Sequence, residues 1–208
     1  VTTIFERAEP GAAPFPSTLV LTPTSRWPTR LPDATVRTVL ANPLPARRSG
    51  ADRSGPPLVS IIVVALDNLA FNRLCLESVL VNTASPSYEV IVVDNGSTDG
   101  TPAYLRELAA MHPNVRVLTN ARNLGFAPAV NQGLAAAAGE VLVLLNNDTV
   151  VTTGWLGRML RALHSDPMIG LVGPCSNLVS GPQQIEVPYR GGERRAESGE
   201  PEEGGGQS

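Results

Sequence analysis

The most regular feature of the chain is a series of short apolar runs that alternate with segments in which apolar residues recur at helical spacing. The first run, 58–66, is rich in β-branched residues, which is typical of strands buried on both faces. Further strands are predicted at 89–94, 115–119, 141–145 and 169–173, and helices at 68–81, 102–111, 127–138 and 154–164. This alternation predicts an α/β fold in which a mostly parallel sheet is flanked by helices on both faces.

The rest of the chain differs in composition. Residues 1–56 hold much of the proline without clean apolar periodicity, which predicts a mostly extended leader with a short hairpin around 18–22. The folded domain is expected to cover 57–190. From Gly191 onward Gly, Glu, Arg and Ser dominate, so the acidic Gly/Glu-rich segment 191–208 is predicted to be a disordered tail.

Charge and cysteine content exclude several classes of protein. The net charge is −3 and the isoelectric point about 5.4, which gives no basic field for nucleic acid. Two cysteines, Cys75 and Cys175, are too few for a four-ligand zinc site and are interpreted as free thiols in a reducing compartment. No run reaches the ~20 apolar residues of a membrane span, and the first residues lack a signal-peptide pattern. We therefore expect a cytoplasmic protein, with any membrane contact peripheral to the inner face.

Three of the predicted strands end in polar residues. Asp67 and Asn68 follow the first strand, the segment 94–100 ends the second, and 146–148 ends the fourth. The carboxyl ends of parallel strands lie at the same edge of a sheet, which is where ligands bind in folds of this class. The pattern therefore predicts one crevice lined by carboxylates and amides.

The chemistry of these residues fits a nucleotide ligand. Asp94 can accept a hydrogen bond from a base or a ribose, and Gly125 opens a helix whose start favours an anion. Asn131 is an amide inside that helix, where it is a poor choice unless it has a function. Asp148 directly follows a buried strand, where a carboxylate can hold a hard divalent cation. Taken singly, each segment also fits an ordinary polar turn or, around Asn131, an alanine-rich core helix.

The segment from Val59 to about Tyr189 resembles the family 2 glycosyltransferases of GT-A fold, which is Rossmann-like. Bacterial members that build surface polysaccharides, rhamnosyltransferases included, are the most similar. The segments that carry the resemblance are 59–64, 75–80, 89–101, 123–127, 146–148 and 176–184. Each motif alone is weak, whereas their order and spacing together are specific.

The resemblance implies a reaction and roles for individual residues. A sugar is transferred from a nucleotide-diphosphate donor to a hydroxyl of a glycan or lipid-linked acceptor, with inversion at the anomeric carbon. Asp94 is expected to bind the base or ribose, Asn147 to lie near the ribose, and Asp148 to hold Mg²⁺ or Mn²⁺ on the diphosphate. The remaining residues implied in donor binding are Ala65, Asp67, Asn95, Ser97, Gly125 and Asn131.

Two departures from the family pattern leave alternatives open. The first strand ends in Ala65-Leu66-Asp67 where the family has Thr or Ser, an aromatic residue and Asn. The Glu-Asp motif that holds the family's catalytic base has no match here, so the catalytic residue is unassigned. A donor-binding module without transferase activity is therefore the alternative to a complete enzyme. A nucleotidyltransferase is disfavoured, because 66–71 contains neither Gly nor Lys.

Overall fold

The computed structural model describes residues 2–6, 33–45 and 57–174. The predicted hairpin around 18–22, Cys175 and the predicted tail lie outside these ranges. The described elements are β1 (Thr2–Glu6), α1 (Asp33–Ala41), β2 (Val59–Ala65), α2 (Leu69–Asn82), β3 (Tyr88–Asp94), α3 (Thr101–Met111), β4 (Val115–Thr119), α4 (Phe126–Ala136), β5 (Val141–Asn146), α5 (Trp155–Leu163) and β6 (Leu171–Val172).

The strands form one six-stranded sheet in the order β4-β3-β2-β5-β1-β6. Strands β2 to β5 are mutually parallel where they pair, and β1 runs antiparallel to both β5 and β6. The predicted mostly parallel α/β sheet is thus confirmed. Ala65 lies opposite Asp94, and Val64 lies opposite Asn146. The polar segments that follow β2, β3 and β5 therefore emerge at one level, which we call the carboxyl edge.

The two faces of the sheet are covered by different helices. Ile61 and Val63 of β2 point into the larger core cluster, which α2, α3 and α5 complete. Ile62, between them, belongs to a second cluster with Leu134 at the end of α4. The alternation along β2 follows from the two-residue period of a strand, and it explains why the run has no polar face. Helix α4 packs so closely that a Cβ added at Gly133 would collide with Ile62.

The segment predicted as a mostly extended leader contains regular structure where it is described. Residues 2–6 form a strand of the main sheet, and 33–41 form a helix that the proline content did not predict. Arg73 of α2 holds this helix by donating to the carbonyl oxygens of Leu40 at 2.9 Å and Asn42 at 2.6 Å. The buried Arg73 side chain thus donates to carbonyl oxygens that have no partner within α1 at its carboxyl end.

Within the described ranges, no helix combines the length and apolar character that a membrane crossing requires.

Candidate functional site

The loops after β2 and β3 are locked together by Asp67. Its Oδ1 accepts from the backbone N–H of Thr98 at 2.6 Å and of Asp99 at 3.3 Å, and its own N–H donates to Ser97 Oγ at 2.8 Å. Asp67 and Asn68 adopt left-handed backbone conformations, with φ of 49° and 60°, that Asp and Asn tolerate better than most residues. Asp67 and Ser97, which were both predicted to bind the donor, are therefore brought together. Their hydrogen bonds, however, link the loop after β2 to the loop after β3.

Asp99 holds the starts of two helices. Its carboxylate accepts from the backbone N–H of Leu69 at 3.0 Å and from that of Thr101 at 2.8 Å. The helix predicted at 102–111 begins one residue earlier, at Thr101, whose N–H is capped by Asp99. Burial alone raises the pKa of Asp99, but its hydrogen bonds with Thr101 and Leu69 outweigh burial and set it below its ordinary value.

Asp94 is a buried carboxylate at the last position of β3. It is 1% exposed, and its Oδ1 accepts from the backbone N–H of Ser97 at 3.0 Å. Its Oδ2 has no hydrogen bond within the described residues, although a buried carboxylate normally uses both oxygens. Asp94 therefore retains capacity to accept from a ligand at the carboxyl edge.

Asn95, also predicted to bind the donor, is buried and fully occupied by the protein. Its Nδ2 donates to Asn123 Oδ1 at 2.9 Å and to the Gly125 carbonyl oxygen at 3.1 Å. Its Oδ1 accepts from Asn120 Nδ2 at 3.0 Å and from the Leu124 N–H at 3.1 Å. Since both amide groups are saturated, Asn95 shapes the loop before α4 and has no free group to offer a ligand.

Two glycines at the site have positive φ for different reasons. Gly96 has φ +90°, and an added Cβ would come within 2.6 Å of the Arg122 carbonyl carbon. Gly125 also has φ +90°, but the space around it is open, with Pro128 Cδ at 3.8 Å. Gly96 thus permits two loops to pass in contact, whereas Gly125 sets the direction in which α4 starts.

Helix α2 binds the turn after β5 through two side chains. Asn147 Nδ2 donates to Asn72 Oδ1 at 2.8 Å, and Cys75 Sγ donates to the Asn146 carbonyl oxygen at 3.4 Å. The pKa of Cys75 is raised to about 12, mainly because the thiol is buried. The Thr149 backbone N–H acts in the opposite direction, and the charge of Asp148 adds a smaller rise. Cys75 is therefore a neutral packing thiol rather than a nucleophile.

Asp148 is the exposed carboxylate at the end of this turn. Within the described residues no three His, Cys, Asp or Glu side chains converge as a metal cage. Mg²⁺ and Mn²⁺ are commonly held by one or two carboxylates, with water and substrate phosphates completing the coordination. The donor set at Asp148 therefore fits an ion that binds together with a diphosphate.

The remaining predicted residues occupy distinct places. Ala65 is fully buried at the end of β2, where its carbonyl oxygen accepts from the Asn95 N–H at 2.8 Å. Asn131 lies on the exposed side of α4, and within the described residues its side chain makes no hydrogen bond to the other predicted residues. The neighbouring Gln132 instead pairs with Asn120, at 2.8 and 3.0 Å.

Sequence reasoning missed Asn72 and the Asn120–Gln132 pair. A signal for Asn72 was present, because it occupies the same helical stripe as Leu69, Leu76 and Val79 and is polar there. Asn120 and Gln132 lie 12 positions apart on either side of the start of α4, and the sequence does not pair them.

The chain is similar in sequence to known glycosyltransferases. The sequence model of glycosyl transferase family 2 matches residues 60–195. Glycosyltransferase AglE of Haloferax volcanii is 33% identical over 118 residues, which are 56% of this chain and 38% of that protein. The N-acetylglucosaminyl-diphospho-decaprenol L-rhamnosyltransferase of Mycobacterium tuberculosis is 35% identical over 96 residues, 41% of this chain and 30% of the relative.

A solved structure shares the fold. The mannosyltransferase PcManGT from Pyrobaculum calidifontis, in complex with GDP-Man and Mn²⁺, superposes with a TM-score of 0.51 at 28% identity. The superposition covers 68% of this chain and 41% of that one. The match confirms the predicted GT-A type of fold. This chain spans less than half the length of each of these three relatives.

Proposed function

Because the chain belongs to glycosyl transferase family 2, we propose that its carboxyl edge binds a nucleotide-diphosphate sugar and presents the sugar for transfer with inversion. The observation that carries this proposal is the buried Asp94 carboxylate, whose Oδ2 is left without a hydrogen bond in the described part of the chain. A base or ribose that donates to this oxygen would complete its coordination.

Asp94 and Asp148 bind opposite ends of the donor in this proposal. Strand β2 separates β3 from β5, so two strand spacings, roughly 10 Å, lie between the positions where their chains leave the sheet. An extended nucleoside diphosphate can cross this interval with its base or ribose at Asp94 and its diphosphate at Asp148. Asn147 lies at the Asp148 end, near the ribose-to-phosphate link.

The chemistry then follows from charge. The acceptor hydroxyl oxygen forms a bond to the anomeric carbon and loses its proton to a general base, to which no described residue is assigned. The bond to the diphosphate oxygen breaks, and the nucleoside diphosphate departs with the electron pair. A divalent cation, when bound, neutralises the charge that develops on the departing diphosphate. Asp148 keeps a carboxylate oxygen available to hold that cation. We expect the acceptor to be a glycan or a lipid-linked sugar of cell-surface polysaccharide synthesis, as the rhamnosyltransferase relative suggests.

A second candidate is a module that binds the donor without transferring the sugar. Among the described residues, four carboxylates lie at the carboxyl edge: Asp67, Asp94, Asp99 and Asp148. Asp67 and Asp99 accept from backbone N–H groups, and the other two are assigned to the donor and the cation. None of the four is assigned to deprotonate the acceptor, so a chain that binds the donor need not transfer the sugar.

Calorimetric titration with UDP, GDP and dTDP, with and without Mn²⁺, tests the proposal. We expect one nucleotide to bind more tightly with Mn²⁺, and the Asp94→Ala and Asp148→Ala variants to lose that binding. Glu140→Ala removes an exposed carboxylate at the opposite edge of the sheet and is the matched control. If neither Asp variant changes binding, the site assignment is wrong. Donor turnover with the matching nucleotide sugar then separates the enzyme from the binding module.

A further inference from the structure

Asn72 makes an unusual set of contacts from inside the core. Its side chain lies in the apolar stripe of α2 and is fully buried, at 0% exposure. Nδ2 donates to the Asp67 carbonyl oxygen at 2.7 Å and to Thr101 Oγ1 at 3.1 Å, and Oδ1 accepts from Asn147 Nδ2 at 2.8 Å. One amide thus joins the loop after β2, the start of α3 and the turn after β5. A buried amide costs stability unless it is paired, and here every partner lies at the carboxyl edge.

Three more side chains on this face of α2 bind the chain after β5. Cys75 donates to the Asn146 carbonyl oxygen, Ser78 Oγ accepts from the Val151 N–H at 3.0 Å, and Asn82 Nδ2 donates to the Val151 carbonyl oxygen at 3.0 Å. These side chains recur every three or four residues, which places them along one side of α2. Helix α2 therefore fixes the chain after β5 along its length, and Asn72 is the contact next to Asp148.

We propose that Asn72 is a positioning residue for the donor. It holds the amide of Asn147, and with it the turn that carries Asp148, in register with the loop after β2. Asp67 in that loop is in turn bound to Ser97 and Thr98, which follow Asp94 in the chain. The inference rests on the proposed function, because it concerns the two ends of the same nucleotide site. A ligand that contacts both ends gains affinity only if their separation is already set before it binds.

This role differs from a merely structural one in what it changes. Nucleotide bound without metal depends on the Asp94 end, whereas the gain in affinity on adding Mn²⁺ depends on the Asp148 end. Loss of the Asn72–Asn147 bond should reduce the gain from Mn²⁺ more than it reduces metal-free binding. A general loss of stability would not reduce the gain from Mn²⁺ more than it reduces metal-free binding.

The experiment measures the dissociation constant of the best-binding nucleoside diphosphate, with and without Mn²⁺, for the full chain. We expect Asn72→Leu, whose side chain has the same number and branching of heavy atoms, to reduce the gain from Mn²⁺ about fivefold, the effect of losing the hydrogen bond to Asn147. The matched control is Asn82→Leu, at the other end of α2. Asn82 also bridges to the chain after β5, through Val151 and Thr153, and its loss should change the gain less than twofold.

A double-mutant cycle with Asn147→Leu identifies the path. If Asn72 acts through Asn147, Asn72→Leu has its effect in the wild-type background and none in the Asn147→Leu background. An equal effect in both backgrounds, or equal losses from Asn72→Leu and Asn82→Leu, would overturn the proposal. If Asn72→Leu does not fold, Asn72→Ser is used, since its side chain is too short to reach Asn147.

The wild-type measurement separates this inference from the proposed function. Metal-dependent binding that Asn72→Leu leaves unchanged overturns the inference alone. If the wild-type chain binds no nucleotide in the presence of Mn²⁺, the proposed function fails and the inference fails with it.

Discussion

Strand β3 carries a buried carboxylate near each of its ends, and their surroundings differ. Glu89, near the start, is 7% exposed, and its Oε1 accepts from Ser60 Oγ at 2.7 Å and from the Ala138 N–H at 2.8 Å. Its Oε2 accepts from Arg116 at 3.3 Å. Asp94, at the end, is 1% exposed and has one hydrogen bond, to Oδ1, within the described residues.

The difference separates a carboxylate that the fold uses from one that the fold leaves available. Glu89 joins β2, β4 and the chain after α4, so both of its oxygens contribute to folding. Asp94 is also a buried residue, but within the described residues only its Oδ1 has a hydrogen-bond partner. Burial alone does not distinguish the two, whereas counting hydrogen bonds does.

The largest expected effect is on stability at the amino end of the strand. Glu89→Ala leaves Ser60 and the Ala138 N–H without an acceptor and should lower the free energy of unfolding by about 3 kcal/mol. Urea denaturation measures this change. Nucleotide affinity, measured where the variant is folded, should stay within twofold. Glu140→Ala, an exposed carboxylate at the same edge, should change neither quantity.

The opposite pattern is expected for Asp94→Asn. The amide keeps an oxygen for the Ser97 N–H, so the free energy of unfolding should change by less than about 1 kcal/mol. Nucleotide affinity should fall about 30-fold, as for loss of roughly 2 kcal/mol from a hydrogen bond to a charged group. A variant that unfolds easily yet binds normally would show that Asp94 belongs with Glu89.

Two glycines at the carboxyl edge have φ of +90° but differ in how closely other atoms approach them. Gly96→Ala should cost roughly 2 kcal/mol, because positive φ is strained and the new Cβ meets the backbone of Arg122. Gly125 has the same positive φ, with ψ of 164°, but open space around it, so Gly125→Ala should cost roughly 1 kcal/mol. Thermal unfolding of the two variants isolates the contact between loops. Equal losses would mean that this contact contributes nothing.

The smallest expected effect concerns Asp99, an exposed carboxylate that the fold nevertheless uses. Its pKa is lower in the folded protein than in the unfolded chain, so its contribution is complete above the ordinary Asp pKa of about 3.9. That contribution disappears as the pH falls through the lowered value. After solvent screening we expect it to be a few tenths of a kcal/mol. Asp99→Asn should remove this part of the acid sensitivity in denaturation curves between pH 2 and about 5. Unchanged acid sensitivity would contradict the capping role.

The parts of the structure that were predictable have local signals. Strands β2, β3 and β5 are nearly continuous apolar runs, and Asp94 and Asp148 are polar residues placed where such runs stop. Strand β4 is a shorter run that Arg116 interrupts. Local pattern therefore predicted both the sheet and the edge at which a ligand binds. Helix α1 was not predicted, because its position depends on Arg73 of a different helix.

The sequence did not predict which polar residues stabilise the fold and which are available to a ligand. Asp67 and Asn95 look like ligand contacts in the sequence, yet their hydrogen bonds are made to residues about 30 positions away. Asn72 looks like one polar residue among many in α2 until its three partners are seen. Which polar groups are saturated depends on tertiary contacts, and that decides which ones can bind a ligand.

The central claim is that the carboxyl edge, and not the amino edge, binds a nucleoside diphosphate. Amide chemical shifts of the ¹⁵N-labelled chain, followed while the best-binding nucleotide is added with Mg²⁺, test it residue by residue. The account predicts shifts at Ser97, Gly125 and Asn147, and none at Ala138 or Glu140. Shifts confined to Ala138 and Glu140, or no shift at Ser97 and Asn147 at saturating nucleotide, would contradict it.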